Sequence, residues 1–281
     1  MLAKLLRNLP DFRGKRRLGK FLLQNTINKA EDIEIKGFFD CSYILPNLKE
    51  TVASEIFING IYERETFDLL RKVVPLNGRI LDLGANIGSV VIPLCKVRKD
   101  ISAVAVEAAP WVYTYLRKNI EINNLSNIQT LNRALYDADN LELDFFSPKE
   151  KFAKGSLSPV FTSDAVKVKT IMVDTLVKEL NFFPVNTIKI DVEGFEYFVF
   201  KGASNLLMSD NAPDIIFEFM DWAENFSLEK SAGRAQQFLL DMGYTLHTFE
   251  KDKFSKLNGV MSSGNANLFA SKKAVEFLSV A

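Results

Sequence analysis

The chain has 281 residues with 35 basic and 35 acidic side chains, so its formal charge is zero and no overall attraction to nucleic acid is expected. A hydrophobic content of 47% and a charged content of 25% are ordinary for a globular protein, and the length suits one large α/β domain with an attached segment. Two widely separated cysteines, Cys41 and Cys95, exclude a disulfide framework and a CxxC zinc site, and fit a reducing cytoplasm.

In chain order, "MLAKLLRNLPDFRGKRRLGK" carries charges throughout, which excludes a secretory signal. No apolar run approaches the roughly 18 residues that a membrane span needs. The first thirty residues are expected to be helical in pieces, broken at Pro10 and Gly14. Their basic run (Arg7, Arg13, Lys15, Arg16, Arg17 and Lys20 against Asp11) either faces solvent or touches an anionic membrane or glycan. "IEIKGFFDCSYILP" reads as strand and turn. "SEIFINGIYERETFDLLRKVVPLNG" reads as a turn at Gly60 and a helix from about Glu63 to Val73, ended by Pro75 and the Asn77-Gly78 pair. Residues 1–54 are therefore expected as an N-terminal extension of helices and short strands, and 55–281 as the main domain.

From Arg79 the pattern alternates. "RILDLG" reads as a short buried strand and "NIGSVVIPLCKVR" as a helix. "SAVAVEA" and "WVYTYLRKNIEINN" repeat that unit, and "IQTLNRALY" reads as a third strand. "LELDFF" and "VKVKTIMV" read as short strands, "TLVKEL" as a short helix, "TIKIDVEG" as a buried strand and "FEYFVFKGASNLLM" as a helix. "DIIFEFM" is a further strand, "SAGRAQQFLLDMG" a helix, and "YTLHTFE" with "ANLFASK" a closing strand pair. This implies a Rossmann-like, doubly wound α/β fold, with a mostly parallel sheet, helices on both faces and an antiparallel edge.

In such sheets a ligand lies beyond the carboxyl ends of the strands. The first strand ends at Leu83 and breaks at Gly84 and Gly88, which allow unusual backbone angles and close approach. The spacing is GxxxG with Asn86 inside, whereas a dinucleotide fingerprint needs glycine at that position, so NAD and FAD are disfavoured. A P-loop would need Gly-Lys-Ser/Thr, which is absent. The second strand ends in Glu107, where a carboxylate accepts two hydrogen bonds from a ribose diol. A ligand with ribose and no pyrophosphate fits S-adenosylmethionine. Asp82 suits its cationic amino group and sulfonium, or holds the loop through backbone N–H groups.

"LDLGANIG", "VAVEAAP" and "IKIDVEGFEYFVFKGA" together resemble the FkbM-type class I methyltransferases. "NGIYERETF", "LNRAL" and "IIFEF" follow the family pattern in the same order, over about residues 55–250. Two alanines stand between Glu107 and Pro110, where the family often has proline at once. The resemblance implies methyl transfer from S-adenosylmethionine, usually to oxygen, on a small-molecule or glycan acceptor. N-methylation and a catalytically inactive S-adenosylmethionine-binding protein are the alternatives. It puts Tyr62 and Glu63 beside the cofactor, and Asn132 and Ala134 against the adenine. With Asp82, Gly84, Ala85, Asn86, Gly88, Glu107 and Asp191 they form the expected cofactor-binding set.

Asp191 ends a strand and faces either the methionine end of the cofactor or the acceptor. Glu193 and Glu196 follow it, as site residues or as helix-start acids. Glu218 lies in an apolar strand, which is costly unless it is paired or at an open strand end. Asp191 and Glu218 are the candidate general bases, with the lone histidine, His247, a doubtful third. "PKEKFAKGSLSP" is either a lid over the acceptor or a solvated connection. No ligand spacing suggests a metal.

Overall fold

The computed structural model describes residues 2–9, 12, 14–29, 31–227, 231–250 and 253–275. The expected break at Pro10, and Asp11 and Arg13 of the basic run, lie outside the described residues. Among the described residues no helix is long and apolar enough to cross a membrane.

The main sheet has eight strands. From one edge they run Lys253–Lys256, Thr245–Glu250, Asn265–Ser271, Asp214–Met220, Thr187–Ile190, Arg79–Leu83, Ser102–Val106 and Ile128–Leu131. The five strands from Asp214–Met220 to Ile128–Leu131 are parallel to one another. Asn265–Ser271 is inserted antiparallel between Asp214–Met220 and Thr245–Glu250, and Lys253–Lys256 closes the edge antiparallel. The mostly parallel α/β fold is thus as expected.

Alternation along the strands separates two cores. Ile80, Ala103 and Ala105 face one hydrophobic cluster, with Leu94 and Val112 from the helices Val91–Val97 and Pro110–Ile122. Leu81, Leu83, Val104 and Val106 face the other, with Leu176, Val199 and Phe200. The chain builds outward from Arg79–Leu83 to Ile128–Leu131, then returns to lay Thr187–Ile190 on the other side of the first strand. That reversal is a switch point, and it opens a crevice at the carboxyl ends of the strands.

The N-terminal segment packs on the first core. A hairpin of Glu31–Lys36 and Ser42–Asn47 is followed by helices Thr51–Asn59 and Arg64–Val73. Tyr43, Leu45, Ile56 and Ile58 share one buried cluster with Ile92 and Leu94. Helix Arg64–Val73 matches its expected span. Helix Thr51–Asn59 was not expected, and it spans the boundary placed at 54/55.

Two expected elements are divided. "IQTLNRALY" splits into Ile128–Leu131 in the main sheet and Ala134–Leu135 in a separate sheet with Ala165–Ile171 and Glu142–Phe146. At the split, Asn132 Nδ2 donates to the carbonyls of Glu107 and Ala108 at 2.8 and 2.9 Å, which ends the ladder between the two strands. The helix after Asp191 is two pieces, Glu196–Lys201 and Ser204–Met208. At the break, a Cβ on Gly202 would lie 2.3 Å from the Tyr136 carbonyl oxygen.

Two asparagines at the end of helix Pro110–Ile122 fix the hairpin to this frame. Ile44 N donates to Asn119 Oδ1 at 2.7 Å, and Asn119 Nδ2 donates to the Ile87 carbonyl at 3.0 Å. Asn123 exchanges the same pair of bonds with the backbone of Ser42 at 2.9 and 2.7 Å. Asn119 is fully buried. Asn119→Ala leaves the Ile44 N–H and the Ile87 carbonyl without these partners, and is expected to cost about 2–4 kcal/mol. Urea unfolding of the variant against the wild type measures it.

Candidate active site

The site begins where the two central strands end together. Gly84 has φ +82, and a Cβ there would sit 1.8 Å from the Asp191 carbonyl oxygen. Glycine is thus required by the neighbouring strand end before any ligand is considered. Gly84 N and Ala85 N both donate to the Val106 carbonyl, at 3.0 and 2.9 Å, and tie the loop to the second strand. Asn86 is left-handed at φ +52, a conformation asparagine tolerates. Gly88 serves helix packing, since a Cβ would meet Ile92 Cδ1 at 2.5 Å and Leu116 Cδ1 at 3.0 Å.

Beyond these strand ends lies a cleft enclosing about 1070 Å³, its open mouth included. Of the expected cofactor residues, Tyr62, Gly84, Asn86, Glu107, Ala134 and Asp191 line it, as does Glu218. Glu63, Asp82, Ala85, Gly88 and Asn132 are not in its lining. Asn132 instead holds the backbone at 107–108 through its side chain. Glu63 is half-buried, left-handed at φ 45, and stands at the N-cap position of helix Arg64–Val73 with no side-chain capping bond.

Glu107 is fixed from both sides. Asn86 N donates to its Oε2 at 2.9 Å and Ala109 N to its Oε1 at 2.8 Å. A carboxylate offers about four lone-pair sites, so each oxygen keeps capacity for one more donor, as a vicinal diol supplies. Burial pushes this carboxyl up to about 7, and the two backbone N–H groups hold it from rising further.

Under the cleft lies a buried charge cluster. Lys189 Nζ stands 3.7 Å from Asp82 Oδ1 and 3.7 Å from Asp191 Oδ2. Among the described residues neither Asp82 oxygen has a donor within hydrogen-bond distance, so this ammonium is its compensation. Burial raises the Asp82 carboxyl. Burial alone would lower the Lys189 ammonium, but Asp82, Asp191, Glu63 and Glu218 outweigh it and hold it above the ordinary lysine range. Burial, then the charges of Asp191 and Glu193, push Glu218 up to about 8. Glu193 is raised to about 8 by burial and by Asp191, although Lys154 Nζ donates to its Oε1 at 2.6 Å. Its Oε2 is buried with no partner. Glu196 takes Val192 N at 3.2 Å and Gly194 N at 3.4 Å, so it shapes the turn behind Asp191.

Several lining residues were not expected. Glu50, Thr51 and Val52 reach the cleft from the N-terminal segment, and Arg133, Lys154, Phe152 and Lys189 line it too. The loop 148–159 does cover the cleft: Phe152 is almost fully buried and Trp111 meets it edge-on, with ring centres 6.2 Å apart. Ser158 Oγ anchors the far end of that loop on the Phe226 carbonyl at 2.9 Å. His247 lies outside the cleft lining, edge-on to Phe254 on the outer strands. Among the described residues no group of three or more His, Cys, Asp or Glu side chains is arranged to hold a metal ion.

The fold and a family match define a class I methyltransferase that uses S-adenosylmethionine. Residues 82–246 match the methyltransferase FkbM domain, more than half of the chain, and the chain belongs to that family. It is 25% identical over 208 residues to Methyltransferase 1 of Beauveria bassiana (strain ARSEF 2860), spanning 67% of this chain and 80% of that protein. Among solved structures it resembles the O-methyltransferase from Bacillus cereus in complex with SAH, with a TM-score of 0.44 and 14% identity over 96% of this chain and 95% of that one. It also resembles Aeropyrum pernix fibrillarin with natively bound S-adenosyl-L-methionine, with a TM-score of 0.44 and 15% identity over 74% of this chain and 73% of that one. The residues fit the cofactor: Glu107 keeps two acceptor positions at the cleft, and the surplus of carboxylates over Lys189 suits a cationic sulfonium and ammonium.

The raised carboxyls have a consequence for stability. Glu107, Glu193, Glu196 and Glu218 bind protons more tightly folded, at about 7 to 8, than at their ordinary 4.5. Their contribution to stability is present in full below about 4.5 and is lost as the pH rises through 7 to 8. The melting temperature of the free protein is expected to be lower at pH 9 than at pH 6. Glu196→Gln, which keeps a neutral side chain at every pH, is expected to flatten that slope in the same melting series.

Proposed function

We propose that the protein is an O-methyltransferase acting on a hydroxyl of a sugar, glycan or secondary metabolite. The observation that carries this reading is Glu218, a carboxyl inside the cleft with its pKa raised to about 8. A hydroxyl is a weak nucleophile until it sheds its proton, and a base works best with a pKa near the working pH. S-adenosylmethionine supplies a methyl group already activated on a cationic sulfur. The protein's part is alignment, water exclusion and removal of one proton.

In this reading Glu107 accepts the ribose hydroxyls, and the loop from Gly84 to Asn86 borders the nucleoside. Ala134 leaves room for the flat adenine. Asp191 takes the amino group of the cofactor or orients the acceptor. Phe152 and Leu157 cover the cleft and exclude water. Glu218 takes the acceptor's proton as the methyl group moves in line to oxygen. Lys154 holds Glu193 beside the acceptor. The buried free thiols of Cys41 and Cys95 accord with a cytoplasmic setting.

Binding and chemistry separate on two residues. Glu107 acts equally in ground and transition states, so Glu107→Gln is expected to weaken S-adenosylhomocysteine binding about 10- to 150-fold with little change in the saturated rate. Glu218→Gln is expected to keep that affinity and lower the saturated rate about 100-fold or more. In the wild type kcat/KM, which reports the free enzyme, is expected to rise with pH through about 8 as Glu218 loses its proton, and the variant to lose that step. Calorimetry with S-adenosylhomocysteine and turnover against a panel of hydroxyl acceptors check both. An intact affinity in the first variant, or an intact rate in the second, removes the role assigned to it.

No metal takes part in this reading, so turnover is expected to persist after dialysis against EDTA. Loss of activity that a divalent ion restores would recast Asp191 and Glu218 as ligands.

A further inference from the structure

The first two helices carry their apolar side chains on the outside. In helix Lys15–Leu22 the buried positions are Lys15 and Gly19. Leu18, Phe21 and Leu22, one row at i, i+3 and i+4, are exposed, Phe21 to 74%. A Cβ on Gly19 would lie 2.6 Å from Ile58 Cγ2, so this small residue sets the helix close against Thr51–Asn59. A helix that merely covers a core would be turned the other way.

Helix Leu2–Asn8 repeats the pattern. It buries Leu6 and exposes Leu2 and Leu5, with exposed Leu9 and Phe12 beyond it. Of the 16 large hydrophobic side chains exposed among the described residues, these seven lie within the first 22. Such a concentration marks an interaction surface.

Charge selects the partner. Residues 1–22 hold seven basic side chains and one acid, in a chain whose total is zero. Three of the seven serve the fold: Lys15 Nζ donates to the Leu9 carbonyl at 2.8 Å and ties the two helices together, Arg7 Nε donates to the Phe57 carbonyl at 2.9 Å, and Arg16 Nη1 stands 3.7 Å from Glu55 Oε2. Lys4 and Arg17 are exposed and Lys20 is half-buried, among the apolar side chains. A second copy of the same face would bring like charges together. An anionic bilayer offers opposite charge and an apolar layer at one surface.

We infer that these two helices dock the enzyme on an anionic lipid membrane. Leu18, Phe21, Leu22 and the leucines of the first helix enter the boundary between headgroups and acyl chains, and Lys4, Arg17 and Lys20 meet the phosphates. The surface adjoins the cleft rim, because Arg16 Nη2 donates to Thr51 Oγ1 at 3.2 Å and Thr51 lines the cleft.

The test is flotation of the full chain with vesicles of phosphatidylcholine alone and of phosphatidylcholine mixed with phosphatidylglycerol. Flotation is expected with the mixed vesicles, with binding at least about ten-fold weaker to phosphatidylcholine alone and weakened by salt. Leu18→Ser with Phe21→Ser is expected to lower the partition about ten-fold or more. Arg17→Gln with Lys20→Gln is expected to lower it about five-fold for each charge removed. None of these residues lines the cleft, so the thermal shift given by S-adenosylhomocysteine should be unchanged in both variants and reports that they fold. Wild-type protein that stays unbound with mixed vesicles, or binding that both folded variants retain, overturns the inference. A concentration-dependent dimer that the Leu18/Phe21 variant abolishes, with no flotation, assigns the face to a second copy instead.

Discussion

Lys189 and Asp82 stand opposite each other on the two central strands, buried and 3.7 Å apart, and Asp191, just past the end of the Lys189 strand, meets the same ammonium. Everything above them depends on that arrangement. A buried carboxylate with no hydrogen-bond donor is tolerable only beside a cation, and a buried ammonium only beside carboxylates. Lys189 is one charge among four acids, Asp82, Asp191, Glu63 and Glu218. The surplus has two outlets. In the free protein burial first, and then the neighbouring carboxylates, raise Glu63 to about 7 and Glu218 to about 8, so these carboxyls take up protons. In the proposed function, a sulfonium and an ammonium would offset the same field. In that reading, the attraction of a cationic cofactor and part of the basicity of Glu218 both draw on this charge below the cleft.

The nucleoside side of the cleft is organised differently, by backbone geometry. Gly84 presses on the Asp191 carbonyl and, with Ala85, donates to the Val106 carbonyl. Glu107 then takes Asn86 N and Ala109 N, while Asn132 takes the carbonyls at 107 and 108. The carboxylate is therefore oriented by bonds that the free protein already makes. In the proposed function little ordering remains for the ribose diol, which is the advantage of a preformed site. Asn132 contributes by holding Glu107 in place.

Much of this was legible in the sequence, for physical reasons that also mark where legibility ended. Strands such as Arg79–Leu83 and Thr187–Ile190 are short apolar runs cut off by glycine or acid, and the helices between them alternate on schedule. Helix Thr51–Asn59 escaped notice because Val52, Ala53, Ile56, Phe57 and Ile58 bury it nearly all round, so no polar stripe gives a helical period. "IQTLNRALY" reads as one strand because nothing local shows that Asn132 bonds to another strand. In the site, Glu107, Asp191 and Glu218 were visible as acids at strand ends or in apolar strands. Lys189 carried the same signal, a charge inside "TIKI". The contributions of Lys154, Phe152 and Glu50 depend on where distant segments land, which spacing does not record.

Those distant segments complete the chemistry. The strand ends supply charge and hydrogen-bond acceptors, but an open crevice would leave them in water, where such interactions are weak. Residues 50–52 and 152–155 with Leu157 reach the cleft from segments about a hundred residues apart in the chain. Glu50 accepts Val52 N at 2.6 Å and fixes the start of helix Thr51–Asn59 at the rim. Lys154 pins the second segment to Glu193. Methyl transfer from a sulfonium asks for alignment and dryness more than for strong acid or base catalysis. The same helix that closes the cleft at Thr51 also carries the two outward-facing amphipathic helices on its flank. Cover for the active site and support for the exposed surface thus come from one element, joined to the main sheet through the hairpin that Asn119 and Asn123 hold.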